Sequence, residues 1–492
     1  MTDKISRSSN IKEIGITVKK SDDFSEWFSQ IVEKAGLADY ISAKGFIVLK
    51  PYGYSIWESI RDVLDKKLKE TGHSNGFLPC LIPEDILNKE EDHFKGFNPE
   101  VFWVTQSGEN RLNERLALRP TSEALLYSIL PKWISSYRDL PLKINFWNTA
   151  LRAEIKSTKP FIRNSEFLWQ EGHTVHSSKD EAEDQVMMIL KIYKNLIENV
   201  LSIPTITGLK SNKEKFVGAE YTTTLEGMMP DGKALQLGTS HNLARNFSKP
   251  FEIKFLNKEN VEDFAWQTSW GTSWRLIGAI IMVHGDDKGL ILPPLIAPIQ
   301  IIIIPIYKNN NEKIVKDSAK LVKDSLLKSG YRVFVDERNE YTAGWKYNEW
   351  EVKGIPIRIS IGQRDIENKT IEIVRRDNKQ KQVIPLEQLN ESIEKIFYGI
   401  QNDLLNVAGK YLKEKTKKVL NYEEFVKVMG DSEGFILSGW CGDEECELKI
   451  KEETGADIRV IPFNQEELNK DIKNCIYCNK PSEKTVVFAR AY

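Results

Sequence analysis

Apolar positions in the first 295 residues follow helical spacing in some segments and strand spacing in others. Apolar residues four apart at 56–68 predict an amphipathic helix, and a second helical stripe runs through 186–200. Short strand-like runs lie between them, for example at 143–148 and 251–255. Because helices and strands mix without regular alternation, residues 1–295 predict an α+β domain built on an antiparallel sheet flanked by helices.

Residues 296–400 show a different, alternating pattern. An apolar strand is predicted at 299–306, followed by a helical stripe through 315–326 and by strands at 331–336 and 357–361. Alternation of this kind is typical of a β-α-β arrangement. We therefore expect an α/β domain with a small mixed sheet.

Residues 401–492 form the third region, which we expect to be a further α/β domain. It begins with a lysine-rich segment at 410–418, which predicts a helix, and ends in a strand-like run at 486–492 that predicts a tied-down terminus. The lysines fit either a local RNA-binding surface or an ordinary solvated helix face, and the latter is the more common case.

Four of the five cysteines lie in this third region, spaced as C-x4-C and C-x2-C. Four thiolates from two short loops match a closed tetrahedral Zn²⁺ site, which is structural because no coordination position is left open. Four reduced, buried cysteines are the alternative. The predicted zinc ligands are Cys441, Cys446, Cys475 and Cys478.

The composition is ordinary, with 41% hydrophobic residues, 28% charged residues and a net charge of −2. This balance excludes a globally basic nucleic-acid-binding chain. No apolar segment suits a signal peptide, and the most apolar stretch, 290–307, carries four prolines that do not suit a membrane helix. We therefore expect a cytoplasmic protein without a membrane partner.

The sequence contains neither the Gly-x-x-x-x-Gly-Lys phosphate loop nor the Gly-x-Gly-x-x-Gly fingerprint. If the protein uses ATP, side chains must hold the phosphates, and the flat, charged fork of arginine is suited to that task. Arginines beside strand-like runs are therefore candidates, although any one alone is more often part of a salt bridge. They are Arg119, Arg152, Arg163 and Arg275.

The order and neighbours of these arginines resemble class II aminoacyl-tRNA synthetases. Leu151-Arg-Ala-Glu154, a polar loop and the strand from Glu166 are similar to the second signature motif of that class. Arg275, before a helical segment, resembles the third motif, and Pro79 resembles the proline of the first, which lies at the family's dimer interface. The resemblance implies a homodimer that uses ATP with Mg²⁺.

Three further motifs narrow the resemblance to prolyl-tRNA synthetases of the archaeal and eukaryotic type. They are Arg119-Pro-Thr-Ser-Glu123, Phe167-Leu-Trp-Gln-Glu-Gly-His173 and Gly238-Thr-Ser-His241. The resemblance implies a catalytic domain at 1–295, an anticodon-binding domain at 296–400 and a zinc-binding domain at 401–492. It implies no insertion editing domain, because 171–218 has no room for one. Alanine is then a plausible misactivated substrate.

The resemblance also assigns roles to individual side chains. The catalytic set is Arg152, Glu154 and Arg275. The proline site is implied to comprise Thr121, Glu123, Arg152, Trp169, His173 and His241. The ATP site is implied to comprise Arg152, Glu154, Arg163, Phe167, Gln236, Thr239, Ser273 and Arg275. Glu351 and Arg364 match positions near the tRNA anticodon, although an ordinary surface pair fits them equally well.

The leading hypothesis is an enzyme that activates L-proline with ATP and transfers it to the proline tRNA. Two alternatives stay open at this point. One is a sister class II synthetase for threonine, serine or glycine, and the other is a non-catalytic synthetase-like protein that binds RNA. The complete set of arginines and Glu154 argues against the second alternative, since a protein freed from catalysis does not need them.

Overall fold

The structure, a computed structural model, describes five stretches of the chain: residues 15–93, 100–155, 157–308, 310–431 and 434–492. Of residues 89–93 only the backbone is described. The chain forms two compact units, and each is described by itself. The first unit comprises the residues up to Ala38, Lys50–Gly53 and His284–Ile400, and the second comprises Asp39–Leu49, Tyr54–Val283 and Gln401–Tyr492.

The helices are numbered in chain order. They are α1 Phe24–Lys34, α2 Pro51–Glu70, α3 Glu84–His93, α4 Glu123–Tyr127, α5 Lys179–Lys194, α6 Arg275–His284, α7 Glu312–Lys328, α8 Ala343–Val352, α9 Gln363–Asn368, α10 Leu389–Glu414, α11 Tyr422–Gly430, α12 Glu444–Thr454 and α13 Gln465–Leu468. One π-helical turn, Asn195–Val200, follows α5, and short 3-10 turns occupy Leu130–Lys132, Tyr137–Asp139 and Leu386–Gln388.

The strands are numbered in the same way. They are β1 Ala38–Tyr40, β2 Ile47–Leu49, β3 Ser74–Gly76, β4 Leu81–Pro83, β5 Trp103–Ser107, β6 Asn110–Leu118, β7 Leu142–Leu151, β8 Glu166–His176, β9 Thr205–Leu209, β10 Tyr221–Met228, β11 Ala234–Ala244, β12 Lys254–Leu256, β13 Glu262–Phe264, β14 Trp266–Ser273, β15 Ile301–Ile306, β16 Val333–Val335, β17 Ile357–Gly362, β18 Thr370–Arg375, β19 Lys381–Pro385, β20 Thr416–Lys418, β21 Phe435–Trp440, β22 Asp457–Pro462 and β23 Lys484–Ala489.

The second unit is built on one sheet of eleven strands, in the order β20-β21-β23-β22-β9-β10-β11-β14-β8-β7-β3. Its central strands, from β9 to β7, are antiparallel. The apolar stripe of α5, which includes Val186 and Ile189, is buried, and α5 packs against β11 and β14. The prediction of an α+β fold with an antiparallel sheet flanked by helices is confirmed.

The last strands of the chain belong to this same sheet. β22 pairs with β9 through Ile461 opposite Leu209 and Pro462 opposite Gly208. β21, β22 and β23, with α11 and α12, form the predicted C-terminal α/β fold. Its core packs Phe425, Trp440 and Phe488 together. One continuous sheet therefore joins the C-terminal strands to the strands in the middle of the chain.

The first unit contains a five-stranded mixed sheet in the order β16-β15-β17-β18-β19. β15 is parallel to both β16 and β17, whereas β17, β18 and β19 are antiparallel to one another. Ile302 and Ile304 on β15 are fully buried against Trp350 of α8. The predicted small mixed sheet is confirmed, and the predicted domain limits at 295 and 400 stay predictions.

Two predicted elements were wrong in their extent. The lysine-rich helix ends at Glu414, and Thr416–Lys418 forms β20, which pairs in parallel with β21. Pairing with a neighbouring strand outweighs helical propensity here, and lysines are typical of an exposed sheet edge. Residues 247–252 form turns, so only the end of the predicted strand at 251–255 is extended, as part of β12.

Among the described helices, none has both the length and the apolar character that crossing a bilayer requires.

Candidate active site and cysteine cluster

A cavity of about 300 Å³ lies over the central strands of the second unit. Most of the predicted proline and ATP residues line it. They are Thr121, Glu123, Arg152, Phe167, Trp169, His173, Gln236, Thr239, His241, Ser273 and Arg275. Glu154 follows β7 in a turn, and Arg163 lies in the loop before β8; neither lines the cavity.

Strand register explains why residues far apart in sequence share this cavity. On β8 the lining residues Phe167, Trp169, Glu171 and His173 are two apart, so they project from one face. β14 and β11 pair in turn beside β8, and cross-strand partners lie on the same face. His173 is opposite Ser269, which is opposite His241.

A β-bulge on β11 changes the side-chain alternation within the cavity. Leu225 pairs with Gly238 and Glu226 pairs with Gln236, so Leu237 is the extra residue. Gln236 and Thr239 are three positions apart and would face opposite sides of a regular strand. The extra residue allows both to line the cavity.

The carboxylate of Glu123 lies at the start of α4, on one side of the cavity. Glu123 is buried, and the Thr121 hydroxyl donates a hydrogen bond to it. Glu171 lies nearby and accepts hydrogen bonds from the Ser122 hydroxyl and, at 3.0 Å, from the Asn148 amide. This side of the cavity is therefore acidic, which favours a cationic group.

Two histidines on this side of the cavity have pKa values that are shifted in opposite directions. Burial disfavours charge on both. For His173, the hydrogen bond to Glu171 and the charges of Glu123 and Glu171 outweigh burial and raise its pKa. Burial and the charge of His173 lower the pKa of His241 to about 3, so its ring is neutral at pH 7.

The neutral ring of His241 is held from both nitrogens. Nδ1 lies 2.9 Å from the Thr222 hydroxyl, and Nε2 lies 3.1 Å from the Thr239 hydroxyl. The Phe216 ring packs on it with the centroids 4.8 Å apart. With both nitrogens engaged, His241 offers the cavity a ring face without charge.

Two arginines lie at the opposite end of the cavity. The Arg152 guanidinium carbon lies 5.4 Å from the centre of the Phe167 ring. Arg275 donates from Nη1 to the Gln236 backbone oxygen at 3.4 Å. Burial, together with the charge of Arg152, lowers the pKa of Arg275 to about 10, which keeps it charged at pH 7. This end therefore suits a polyanion.

Arg119 acts as a scaffold in this structure. Its buried guanidinium donates to the backbone oxygens of Leu78, Pro79 and Thr149 at 2.7–3.0 Å. These bonds connect the segment that precedes β4 with strand β7. Arg152 follows directly after the last residue of β7. Arg119 thus holds Pro79 in place.

The final residue packs near the loop that carries Arg163. The Tyr492 hydroxyl donates to Asp231 at 2.7 Å, and its backbone N–H donates to the Ala234 oxygen at 3.1 Å. Lys159, whose N–H bonds to the Arg163 oxygen, lies 4.9 Å from the centre of the Tyr492 ring. The prediction of a tied-down terminus is confirmed.

The four predicted zinc ligands form one cluster, with all four sulfur atoms within 4.8 Å of one another. Cys441 lies 3.7 Å from Cys446 and 3.6 Å from Cys478, measured between sulfur atoms. Zinc–sulfur bonds of about 2.3 Å in a tetrahedron place the sulfurs about 3.8 Å apart, whereas a disulfide needs about 2.05 Å. The cluster therefore fits a zinc ion.

A second cavity, of about 230 Å³, lies in the first unit. Glu351 lines this cavity together with Arg358, Lys379 and Lys381. Arg364 lies on α9 and is not among the lining residues. The Arg358 guanidinium lies 3.6 Å from the centre of the Tyr347 ring. Its Nη1 is buried and makes no hydrogen bond within the part of the chain that the structure describes. The structure therefore brings Glu351 together with Arg358 rather than with Arg364.

Comparison with known proteins supports one family along the whole chain. Residues 102–284 match the tRNA synthetase class II core domain (G, H, P, S and T), 300–396 the anticodon binding domain, and 422–492 the prolyl-tRNA synthetase C-terminal domain. A proline--tRNA ligase of Cenarchaeum symbiosum (strain A) is 56% identical over 481 residues, covering 98% of this chain and 100% of that protein. The chain belongs to the prolyl-tRNA synthetase family.

Two further relatives agree with that assignment. A proline--tRNA ligase of Natranaerobius thermophilus is 47% identical, covering 98% of each chain. The crystal structure of a prolyl-tRNA synthetase from Cryptosporidium parvum, complexed with halofuginone and AMPPNP, superposes with a TM-score of 0.91 at 42% identity. It covers 97% of this chain and 100% of that one.

The prediction of a proline--tRNA ligase is thus confirmed, and neither the sister-synthetase nor the non-catalytic alternative is supported. The prediction that no large domain follows the second motif also agrees with the fold. Between β8 and β9 the structure contains α5 and one π-helical turn.

The structure adds lining residues that the sequence did not single out. Glu171 lies within a recognised motif and could have been found by its two-residue spacing from Trp169 and His173. Glu214 and Phe216 come from an irregular loop without such a pattern. Ser269 is buried in the cavity, and its hydroxyl, like the Trp169 indole N–H, makes no hydrogen bond among the described residues.

Proposed function

We propose that the cavity over the central sheet is the site where this prolyl-tRNA synthetase forms prolyl-adenylate from L-proline and ATP. One observation carries the proposal: residues suited to an ammonium group and residues suited to phosphates line the same 300 Å³ space. Glu123 and Glu171 provide the acidic end, and Arg152 and Arg275 provide the basic end. The carboxylate of proline then meets the α-phosphate between them.

In the first step, an oxygen of the proline carboxylate attacks the α-phosphorus of ATP. The bond to the β-phosphate breaks, and pyrophosphate leaves with that electron pair. Arg152 reduces the repulsion between the two anions as they approach, and Arg275 stabilises the negative charge of the transition state. In the second step, a hydroxyl of the tRNA terminal ribose attacks the carbonyl carbon of prolyl-adenylate. The bond from that carbon to the phosphate oxygen breaks, AMP leaves with the electron pair, and the hydroxyl proton passes to solvent.

Mg²⁺ accompanies ATP and neutralises part of its phosphate charge. Mg²⁺ prefers oxygen ligands, and the cavity offers the Gln236 amide, the Thr239 hydroxyl and the Glu214 carboxylate. These residues would hold the ion. Arg163 lies outside the lining and holds the outer phosphates in this proposal, whereas Glu154, also outside the lining, has no phosphate contact because its carboxylate would repel them.

Recognition of proline requires acceptors for two N–H bonds and an apolar wall for the ring. Thr121 and Glu123 provide the acceptors, and Glu123 also pairs with the positive charge. Trp169, Phe216 and the neutral ring of His241 provide the wall. Because His241 carries no charge at pH 7, it does not repel the ammonium group.

We predict that Glu123→Gln raises the KM for proline about 100-fold, because a charge-assisted hydrogen bond becomes a neutral one in a buried site. The KM for ATP should change less than about twofold, since ATP does not contact this end. ATP–pyrophosphate exchange with proline, threonine, serine, glycine and alanine measures both constants.

The matched control is Glu109→Gln, which changes an exposed carboxylate in the turn between β5 and β6. Equal changes in both constants would contradict the assignment, and exchange with threonine but not proline would refute the function.

We infer that the cavity of the first unit holds a guanine of the tRNA anticodon. Proline codons begin with two cytosines, so the matching anticodons carry guanines. An arginine can donate to guanine O6 and N7, and a carboxylate can accept from its N–H groups. Arg358 has a buried donor without a partner among the described residues, and Glu351 lies in the same cavity. Lys379 and Lys381, which also line the cavity, suit phosphate.

We predict that Arg358→Gln reduces kcat/KM for tRNA about 10- to 100-fold, the cost of one lost base contact of about 1–3 kcal/mol. Proline-dependent pyrophosphate exchange should not change, because it needs no tRNA. Aminoacylation of wild-type transcripts and of transcripts with each anticodon guanine replaced measures the effect. Arg364→Gln is the control. If it causes the larger loss, the anticodon contact predicted from the sequence is correct and the cavity is not the site.

We also propose a structural zinc ion in the cysteine cluster, a homodimer and a cytoplasmic location. The dimer would use the segment around Pro79, where Phe77 is 86% exposed beside the scaffold made by Arg119. Sedimentation equilibrium should give twice 56.6 kDa, and a monomer mass would refute the dimer. The location follows from the substrates, since ATP and tRNA meet in the cytoplasm, and a secreted pool of the protein would refute it.

A further inference from the structure

Arg459 reaches from the C-terminal strands toward the centre of the sheet. It lies on β22, where Ile458 and Val460 pair with consecutive residues of β23, so Arg459 is the extra residue of a bulge. Bulges re-aim side chains. This one brings the Arg459 guanidinium to Glu226 of β10, with four nitrogen–oxygen distances of 3.3–3.7 Å to Glu226 and Glu214.

The carboxylate of Glu226 is fully buried between two cations. Lys210 donates to it at 2.6 Å and the Thr224 hydroxyl at 3.0 Å, while Arg459 approaches from the other side. Lys210 also donates to the backbone oxygen of Arg459 at 3.0 Å. A buried carboxylate needs such partners, because an unpaired charge inside a protein is strongly destabilising. Arg459 is the partner supplied by the C-terminal strands.

Glu226 and Glu214 both adjoin the cavity. Glu226 pairs across the sheet with Gln236, whose backbone oxygen accepts from Arg275. Glu214 lines the cavity itself, and Arg459 Nη1 lies 3.7 Å from it. One guanidinium therefore contacts two carboxylates, one beside the arginine-rich end and one in the lining. Burial and the charge of Arg152 lower the pKa of Arg275; the charge of Glu226 opposes that shift and the charge of Arg459 adds to it.

We propose that Arg459 is a positioning residue for the ATP half of the active site, acting through Glu226 on Gln236 and Arg275 and through Glu214 on the cavity lining. The proposal rests on the proposed function of the cavity. Arg459 does not line the cavity, so it acts through these neighbours rather than by touching substrate. Because Arg459 belongs to β22, this contact also makes adenylate formation depend on the C-terminal strands being folded onto the sheet.

The alternative is that Arg459 only braces the sheet. A brace would affect stability, and it would change the constants for proline and ATP alike or leave both unchanged. A positioning residue would change the constants for ATP selectively. The chain offers a matched control in Tyr411→Phe, which removes a 2.8 Å hydrogen bond from α10 to the Pro230 oxygen and leaves Glu226 untouched.

The test measures pyrophosphate exchange for Arg459→Met, Arg459→Lys and Tyr411→Phe, with thermal unfolding of each. We expect Arg459→Met to reduce kcat/KM for ATP at least tenfold and to change the KM for proline less than twofold. Arg459→Lys should recover a large part of that loss. Calorimetric titration with a non-hydrolysable ATP analogue provides a readout that needs no turnover. The analogue should bind Arg459→Met more weakly than it binds the wild type, Arg459→Lys or Tyr411→Phe.

Two results would overturn the proposal. One is an Arg459→Met variant that melts earlier yet keeps both constants within twofold of the wild type. The other is an equal loss for ATP and proline. If Arg459→Met does not fold, Arg459→Gln replaces it, and wild-type constants for ATP in a folded Arg459→Gln protein would overturn the proposal. Failure of the proposed function is separate, because the wild-type chain would then show no proline-dependent exchange.

Discussion

Replacing Arg152 by alanine should abolish proline-dependent pyrophosphate exchange, with a loss of kcat of at least about a thousandfold. Arg152 lines the cavity beside Phe167, at the end that also carries Arg275. In the proposed step it lies between two anions, and without it their mutual repulsion is not offset. Among the described residues, Arg275 is the other arginine that lines the cavity, and it does not replace the contact of Arg152 with Phe167.

The same change should leave the fold intact, because the Arg152 side chain packs on one ring of the cavity wall, that of Phe167. The midpoint of thermal unfolding should shift by less than about 2 °C, which corresponds to at most about 2 kcal/mol for a chain of this size. Arg111→Ala, an exposed arginine on β6, serves as the control. Undiminished exchange by a folded Arg152→Ala protein would refute the assignment.

If the cysteine cluster holds the zinc ion proposed for it, chelation should unfold the C-terminal strands at a temperature where the rest of the second unit is still folded. Structural zinc stabilises small domains by about 10 kcal/mol or more, so its loss should cost at least several kcal/mol here. Cys446 and Cys475 are buried in the core with Trp440 and Ile476. Without an ion, the four sulfur atoms lose their common partner.

Metal analysis and hydrogen exchange measure this effect. Fresh protein should contain about one zinc per chain, and Cys446→Ser should contain less than about a tenth of that. Exchange should rise first in 435–489 after chelation. Cys80→Ser is the matched control, because Cys80 is exposed and lies outside the cluster. Less than half a zinc per chain in the wild type would count against the site.

Short motifs predicted most of the cavity because strands place every second residue on one face. Phe167, Trp169 and His173 follow that spacing, so a motif on one strand already defines one wall. The bulge at Leu237 could not be predicted, since nothing in the side chains announces an extra residue. The sequence pattern did not predict Glu214 and Phe216, because loop geometry, rather than periodicity, brings them to the cavity.

Contacts between distant segments were the other limit of the sequence. Arg459 and Glu226 are each unremarkable in their local sequence, and only the pairing of β22 with β9 brings them together. The contrast between Arg358 and Arg364 is similar. Arg358 is the second residue of β17 and its guanidinium lies over the Tyr347 ring, whereas Arg364 lies beyond the strand, on the next helix.

The continuous sheet has a consequence for how the chain folds during synthesis. β9 pairs with β22 through residues as far apart as Leu209 and Ile461. While the ribosome makes the intervening segment, the outer edge of β9 has no strand beside it, and an exposed edge is a template for wrong pairing. We therefore expect nascent chains that stop before β22 to depend on chaperones, and the sheet to close late in synthesis.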